Sequence, residues 1–288
     1  MSQGPTVLLK ISQLYPQMSP SQQAIADLIL RDPESAAFYN VAEMAREATV
    51  SESTVTRFAT FIGYSGFPAL SRELQELVRS RLTTGERFQL TRNATKAEQQ
   101  TVLQHFEEDM NNLALMMERI DLNVLERVVQ LLTTAHRIGI ASSRGSLSLG
   151  MFFDFYLNLL NKETYLFSGE PRTVDRILRL APGDVLVGIG FARYTRFIVD
   201  CLAAGKKRGA RIVVITDYPS SPLCQYADEV LFTPTGIASH MDSFVAPISL
   251  LTAILRSMSL KDADVATNLL NEMEESWQEL GIYYDPKK

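Results

Sequence analysis

The apolar positions of this chain follow two different rhythms. Between residues 19 and 80 they recur at three- and four-residue spacing, in short runs broken by proline, glycine and capping residues. That pattern predicts a set of short amphipathic helices. Ser19, with Pro20 next and Gln22 three positions on, opens one helix with proline at its first position and a reciprocal capping pair. Ala24, Ile25, Leu28 and Ile29 share a face of it, and Asp32-Pro33 ends it. Asn40 with Glu43 opens a second helix, and Ser51 a third. Gly63 supplies a left-handed stop, and Phe67-Pro68 leads into a run from Ala69 to Arg81.

From about residue 106 the rhythm changes. Short β-branched strands at Arg137–Ala141, Thr164–Phe167, Asp184–Ile189, Arg211–Thr216 and Glu229–Phe232 alternate with helical runs. Those runs cover 146–161, 171–180 and 195–208, and two more follow at 241–259 and 262–280. Such alternation predicts a parallel sheet with helices on both faces. The intervening stretch, 81–105, is polar and weakly periodic, a linker that turns helical towards its end. The expected organisation is therefore two domains: an all-α domain over 1–80 and an α/β domain over 106–288. Met110, Leu113, Leu115, Met116 and Met117 read as a helix packing face rather than a cofactor box.

Composition narrows the function classes. With 46% hydrophobic and 21% charged residues the chain has the make-up of a soluble globular protein. No stretch approaches the roughly 20 apolar residues that a membrane span needs. The first residues lack a basic start, a long apolar run and a small-residue cleavage site, so no signal peptide is expected. Cys201, Cys224 and three scattered histidines form neither a disulfide framework nor a zinc spacing. A cytoplasmic protein without metal or redox cofactor is expected. The net charge of −5 does not by itself suggest nucleic acid. Residues 1–80 carry six basic residues against eight acidic ones, but Arg79, Arg81, Arg87, Arg92 and Lys96 are opposed only by Glu86. Phosphate binding needs local positive charge, not a basic whole.

The most specific local pattern runs from Val41 to Val55, VAEMAREATVSESTV. Two helices crossing at a tight turn need a small residue where their backbones approach, which Ala45 supplies. Met44, Val50 and Val55 are placed to hold the pair together, and Thr49 stands where glycine is commoner. Ser51 caps the second helix, whose first turns project Glu52, Ser53, Thr54, Thr56 and Arg57. Short hydroxyls followed by an arginine suit a recognition helix in the major groove, where they reach phosphates and base edges. Ser51, Ser53, Thr54, Thr56 and Arg57 are the expected contacts to double-stranded operator DNA. The other reading of the segment is a helical hairpin used for packing or dimerisation.

Residues 19–74 resemble the N-terminal domain of RpiR-type bacterial transcription regulators. The resemblance is carried by Val50-Ser51, Thr54, Arg57-Phe58 and Gly63-Tyr64-Ser65-Gly66-Phe67. Many members carry a lysine near the end of the recognition helix, where this chain has Thr60 and Phe61. Arg46, Arg72 or the basic linker would then supply phosphate contacts. The resemblance implies that residues 106–288 form a sugar isomerase (SIS) domain, a flavodoxin-like five-stranded parallel sheet. It also implies a homodimer or homotetramer.

Two loops of the α/β region carry candidate ligand chemistry. In open parallel sheets ligands bind beyond the carboxyl ends of strands, where helix N-termini offer free N–H groups. Ser142-Ser143-Arg144-Gly145-Ser146 follows the first strand and matches the glycine- and serine-rich ligand loop of SIS domains. Ser142, Ser143 and Ser146 are the candidate contacts there, although one serine is needed simply as a cap. Gly190-Phe191-Ala192-Arg193-Tyr194-Thr195-Arg196 follows the third strand. In sugar-phosphate-binding SIS domains this place holds serines, a glycine and a threonine, of which only Thr195 survives. Arg193 could replace the lost hydroxyls with charge, since guanidinium binds phosphate or carboxylate bidentately; it could equally serve a surface or dimer contact. Tyr194, and Ser239 and His240 after the last strand, complete the candidate pocket for a small anionic metabolite. The expected function is a transcription regulator of a metabolic operon whose operator affinity responds to such a metabolite. The rival is a sugar-phosphate isomerase with a helical extension, for which neither loop supplies an obvious base; Glu170, Asp217 and Asp242 are poorly placed by position, and His240 is the best remaining candidate.

Overall fold

The computed structural model describes residues 7–79, 83–85, 98–236, 241–261 and 263–284. The chain divides into two compact units, residues 1–86 and 87–288.

The first unit is all helical: α1 (Val7–Leu14), α2 (Pro20–Arg31), α3 (Pro33–Ala36), α4 (Val41–Glu47), α5 (Glu52–Phe61) and α6 (Phe67–Arg79). Its helices begin where side chains can take up free backbone N–H groups. Ser19 and Gln22 form a reciprocal capping box ahead of Pro20, and Asn40 and Glu43 form another. Asp32 ends α2 and also accepts the Ser35 N–H, so a one-turn helix follows where only a stop was expected. Hydrogen bonding to Ser35 holds the Asp32 carboxyl below the usual carboxylate range. Gly63 takes φ 92° after α5, as its role as a stop requires. Helix α6 starts at Phe67, two residues before the expected Ala69. Ile25, Ile29, Met44, Val55, Phe58, Leu70 and Leu74 are buried and form the core.

The second unit is a doubly wound α/β domain. Strands β1 (Ile138–Ala141), β2 (Thr164–Phe167), β3 (Val185–Ile189), β4 (Arg211–Thr216) and β5 (Glu229–Phe232) form one sheet in the order β2-β1-β3-β4-β5. All neighbouring pairs are parallel. The helices are α7 (Glu98–Arg119), α8 (Leu122–Thr134), α9 (Leu147–Leu159), α10 (Thr173–Ile177), α11 (Arg196–Lys207), α12 (Val245–Lys261) and α13 (Ala263–Leu280). Alternation along the strands splits the core: Val185, Val187 and Ile189 of β3 face one layer, with Phe153, Leu132 and Leu251. Leu186 joins the other, with Phe167, Ile198 and Leu202.

Helix α7 begins at Glu98, inside the stretch expected to be linker. Along it Met116 is buried and Leu113 packs on the core, whereas Met110 and Met117 are exposed. The packing face expected from the five apolar residues is thus narrower. Helix α9 is apolar on most sides and leaves Met151, Phe155 and Tyr156 exposed. No helix among the described residues is long and apolar enough to cross a membrane.

Candidate functional site

Two sites emerge, one in each unit. In the first, α4 and α5 are joined by a turn in which the Val50 N–H donates to the Ala45 carbonyl at 2.9 Å. Thr49 adopts φ 55°, the left-handed conformation that glycine would take without cost. Its side chain is exposed, so the methyl and hydroxyl clear the protein. Ala45 is buried where the two helices meet, as the need for a small residue requires. Ser51 accepts the Thr54 N–H at 3.2 Å and caps α5.

Helix α5 turns Val55, Phe58 and Ala59 inward and leaves Ser53, Thr56, Arg57, Thr60 and Phe61 exposed along one outer stripe. The outer groups bond within the helix: Arg57 Nε donates to the Ser53 carbonyl at 3.2 Å, and Thr56 Oγ1 to that of Glu52 at 3.2 Å. Both are exposed bonds within the helix. Thr54 differs, being half-buried with its hydroxyl 2.8 Å from Ser51 Oγ. Ser51 and Thr54 therefore shape the start of the helix, while Ser53, Thr56 and Arg57 face outward. Lys10 lies 4.8 Å from the ring centroid of Tyr64, bringing α1 against the loop after α5. The Arg79 side chain and the basic residues Arg81, Arg87, Arg92 and Lys96 lie outside the described residues.

The second site lies at the carboxyl ends of β1 and β3. Ala141 pairs with Gly188, so the two strands end side by side. In a sheet of this order, β1/β3 is the point where successive crossovers leave in opposite directions, which opens a crevice between their loops. Ser143 Oγ and Thr195 Oγ1 meet across it at 2.8 Å. Thr195 occupies the N-cap of α11 without capping it, and Ser146 likewise stands before α9 without a side-chain cap bond. The N-terminus of α11 thus opens at the crevice with backbone donors not taken by a cap side chain, an arrangement suited to an anion, whereas α9 continues a 3-10 turn, Arg144–Ser146, that already takes up the Leu147 N–H.

The remaining loop residues divide by role. Ser142 is fully buried; among the described residues its hydroxyl has no hydrogen-bond partner, and it is packed against Gly150 of α9. Of the two serines at 142 and 143, Ser142 is thus closed off from solvent and Ser143 is half-buried at the crevice. Ser146 is also buried, its Oγ 2.9 Å from the Ser143 carbonyl and 3.0 Å from that of Ile189. It ties the β1 loop to the end of β3. Arg144 and Arg193 are both exposed and both left-handed, at φ 55° and φ 67°. The Tyr194 hydroxyl donates to Asp217 Oδ1 at 2.7 Å, and burial, with the Asp217 charge beside it, pushes its pKa well up. Ser239 and His240 lie outside the described residues. Helix α12 begins at Val245 rather than at 241.

Three further contributors come from outside the two loops; of these the sequence singles out only Asp217, and that as a poorly placed base. Asp217 accepts the Ala192 N–H at 2.9 Å as well as the Tyr194 hydroxyl. Phe244 stacks on Phe191 with ring centroids 5.5 Å apart and lies 3.5 Å from the position a Gly145 Cβ would take, touching both loops. Asp109, buried on α7, accepts a short hydrogen bond from the Ser243 hydroxyl and so fastens the segment before α12. The Thr216-Asp217 pair at the end of β4 was a visible signal; the other two depend on elements far apart in sequence. Among the described residues no cluster of histidine, cysteine and carboxylate groups fits a metal ion.

Known proteins agree with this division. The family model described as "Helix-turn-helix domain, rpiR family" matches residues 6–80, and that of the SIS domain matches residues 131–257. An HTH-type transcriptional regulator of Haemophilus influenzae is 27% identical over 239 residues, 80% of this chain and 81% of the relative. The sugar isomerase domain of an RpiR transcription factor from Sphaerobacter thermophilus shares 25% identity with a TM-score of 0.58, covering 60% of this chain and 97% of that one. The Vibrio vulnificus NanR protein, solved in complex with ManNAc-6P, shares the fold at 20% identity and a TM-score of 0.55, over 95% of this chain and 98% of that one. A unit matching the rpiR-family helix-turn-helix model thus stands ahead of one matching the SIS domain, and the relatives that cover most of this chain bear the name of HTH-type transcriptional regulators.

Proposed function

We propose that this protein is a DNA-binding transcription regulator of a metabolic operon, and that a small anionic metabolite bound in the SIS domain sets its operator affinity. The observation that carries the effector half is the crevice itself, where α11 begins without a side-chain cap and Ser143 meets Thr195. Backbone donors at helix N-termini favour negative charge, and the two hydroxyls can turn from each other to an incoming oxygen. Arg193, exposed at the rim, adds a guanidinium that suits a phosphate or carboxylate. The ligand contacts are accordingly placed on Ser143, Arg193 and Thr195, with Tyr194 in support.

The DNA half rests on the outer stripe of α5, with Ser53, Thr56 and Arg57 as the groups that reach the major groove. The working unit is a homodimer or homotetramer; a second copy would cover exposed apolar side chains such as Met151 and Phe155 of α9, which a monomer leaves in water. The relatives bear the names of regulators rather than enzymes, which favours a role without catalysis.

The test is binding of the purified protein to its own upstream DNA across a salt series, with and without a panel of sugar phosphates that includes ManNAc-6P, and of organic acids. Saturable, sequence-specific binding that one compound shifts by about 5- to 150-fold is expected, the usual span of such couplings. Absence of specific binding in every condition would overturn the DNA reading. Specific binding that no compound alters would overturn the effector reading.

A further inference from the structure

Arg193 sits between two fixed points. On one side the Ala192 N–H donates to Asp217 Oδ2 at 2.9 Å; on the other the Tyr194 hydroxyl donates to Oδ1 of the same carboxylate at 2.7 Å. Just before them, Thr216 Oγ1 donates to the Gly190 carbonyl at 2.7 Å, with Ser221 Oγ at 3.0 Å. Gly190, Ala192 and Tyr194 are thus held, one residue apart, by two consecutive residues at the end of β4. The residue left between the last two ties is Arg193, exposed and at φ 67°. A non-glycine residue persists in that region only where its surroundings hold it. Here one buried carboxylate grips both neighbours.

We propose that Asp217 is the positioning residue that presents Arg193 to the anion bound at the β1/β3 crevice, and that Tyr194 acts through it rather than on the ligand. The proposal rests on the anion reading of the crevice given above. It changes the role of Tyr194 from a ligand contact to half of a clamp. It also gives Asp217 a task that explains why it is a poor candidate for a general base: both carboxylate oxygens are already taken by donors.

The clamp predicts a particular pattern of coupling. Residues that act as a unit show non-additive losses. Glucose 6-phosphate and inorganic phosphate would be titrated calorimetrically against the full-length wild type, Arg193→Ala, Tyr194→Phe and the double variant. Arg193→Ala is expected to weaken the tighter probe by about tenfold, the size of a charge-assisted bond lost. Tyr194→Phe is expected to weaken it by about fivefold in the wild-type background and by less than about twofold when Arg193 is already alanine. Hydrogen exchange reads the clamp without ligand: the Ala192 amide should be protected in the wild type and exchange faster in Tyr194→Phe and Asp217→Asn.

Equal losses from Tyr194→Phe in both backgrounds would show a general structural effect and overturn the positioning role, as would a silent Tyr194→Phe. Wild type that takes up neither probe would overturn the anion reading and the presentation of Arg193 together. The exchange rate of Ala192 would then still show whether the clamp itself exists, so the two failures are told apart.

Discussion

Thr49 takes a left-handed conformation, φ 55°, at the turn position where glycine is the ordinary choice. The left-handed region costs an L-residue about 1–2 kcal/mol, and glycine's extra chain entropy costs about 0.5–1 kcal/mol. The first term is the larger, so Thr49→Gly is expected to stabilise the helical unit, by up to about 1 kcal/mol, read as a rise in its thermal midpoint. A fall would mean that the threonine side chain holds the turn by a contact not otherwise evident. Gly150 reverses the usual sign in the other direction. Replacing a mid-helix glycine by alanine normally stabilises, but a Cβ here would lie 2.0 Å from Ser142 Oγ and 2.9 Å from Ser142 Cβ. Gly150→Ala is therefore expected to destabilise the α/β unit by about 1–3 kcal/mol, the cost of overpacking a core. Unchanged or raised stability would show that Ser142 turns aside freely. Neither effect is legible in the sequence as a magnitude: the odd residue at 49 was visible, but the serine buried against Gly150 is a meeting of two side chains that only the packed helix creates.

Strands proved the most readable elements, because β-branched runs bounded by turn residues leave few other options. Three of the five have the expected bounds, and β1 and β3 each begin one residue later than expected, at Ile138 and Val185. Asp184 leaves the strand for a reason: its side chain accepts Arg137 Nη2 at 2.8 Å and the Ala181 N–H at 2.9 Å. It fastens the starts of β1 and β3 to the loop after α10. Asp184 is 1% exposed, whereas the Arg137 side chain is 26% exposed, so water relieves part of any loss. Asp184→Ala is expected to cost about 2–4 kcal/mol, below the full penalty for a stranded buried charge. Urea unfolding checks it, and a loss under about 0.5 kcal/mol would place this pair with ordinary surface bridges. Polar residues with weak periodicity suit both a linker and an amphipathic helix that keeps one face in water, and the stretch expected to turn helical towards its end is helical from Glu98. The crevice residues split: Ser143 and Thr195 were legible as hydroxyls beside helix starts, whereas Asp217 follows β4 and Phe244 precedes α12, and both gain their meaning from how the sheet and helices bring distant segments together.

At the scale of the whole molecule the net charge of −5 means that DNA affinity has to come from a few well-placed groups. Arg57 is the cation on the outer stripe of α5, and a two-fold dimer would present it twice, on recognition helices about 34–36 Å apart. Each lost base contact costs about 1–3 kcal/mol, so Arg57→Ala removes about 2–6 kcal/mol from the dimer's operator binding if both copies read bases. The salt dependence separates the two ways an arginine can act. A base-reading Arg57 leaves the slope of log K against log salt near its wild-type value and, when replaced, relaxes discrimination at one position of each half-site. A phosphate-bound Arg57 weakens all sequences alike and lowers the slope by about 1 for each copy. The exposed position of Arg57 on the second turn of α5, with Thr56 beside it and the capping residues behind, favours the base-reading outcome. Equal operator affinity of wild type and Arg57→Ala across the salt series would remove α5 from the groove altogether.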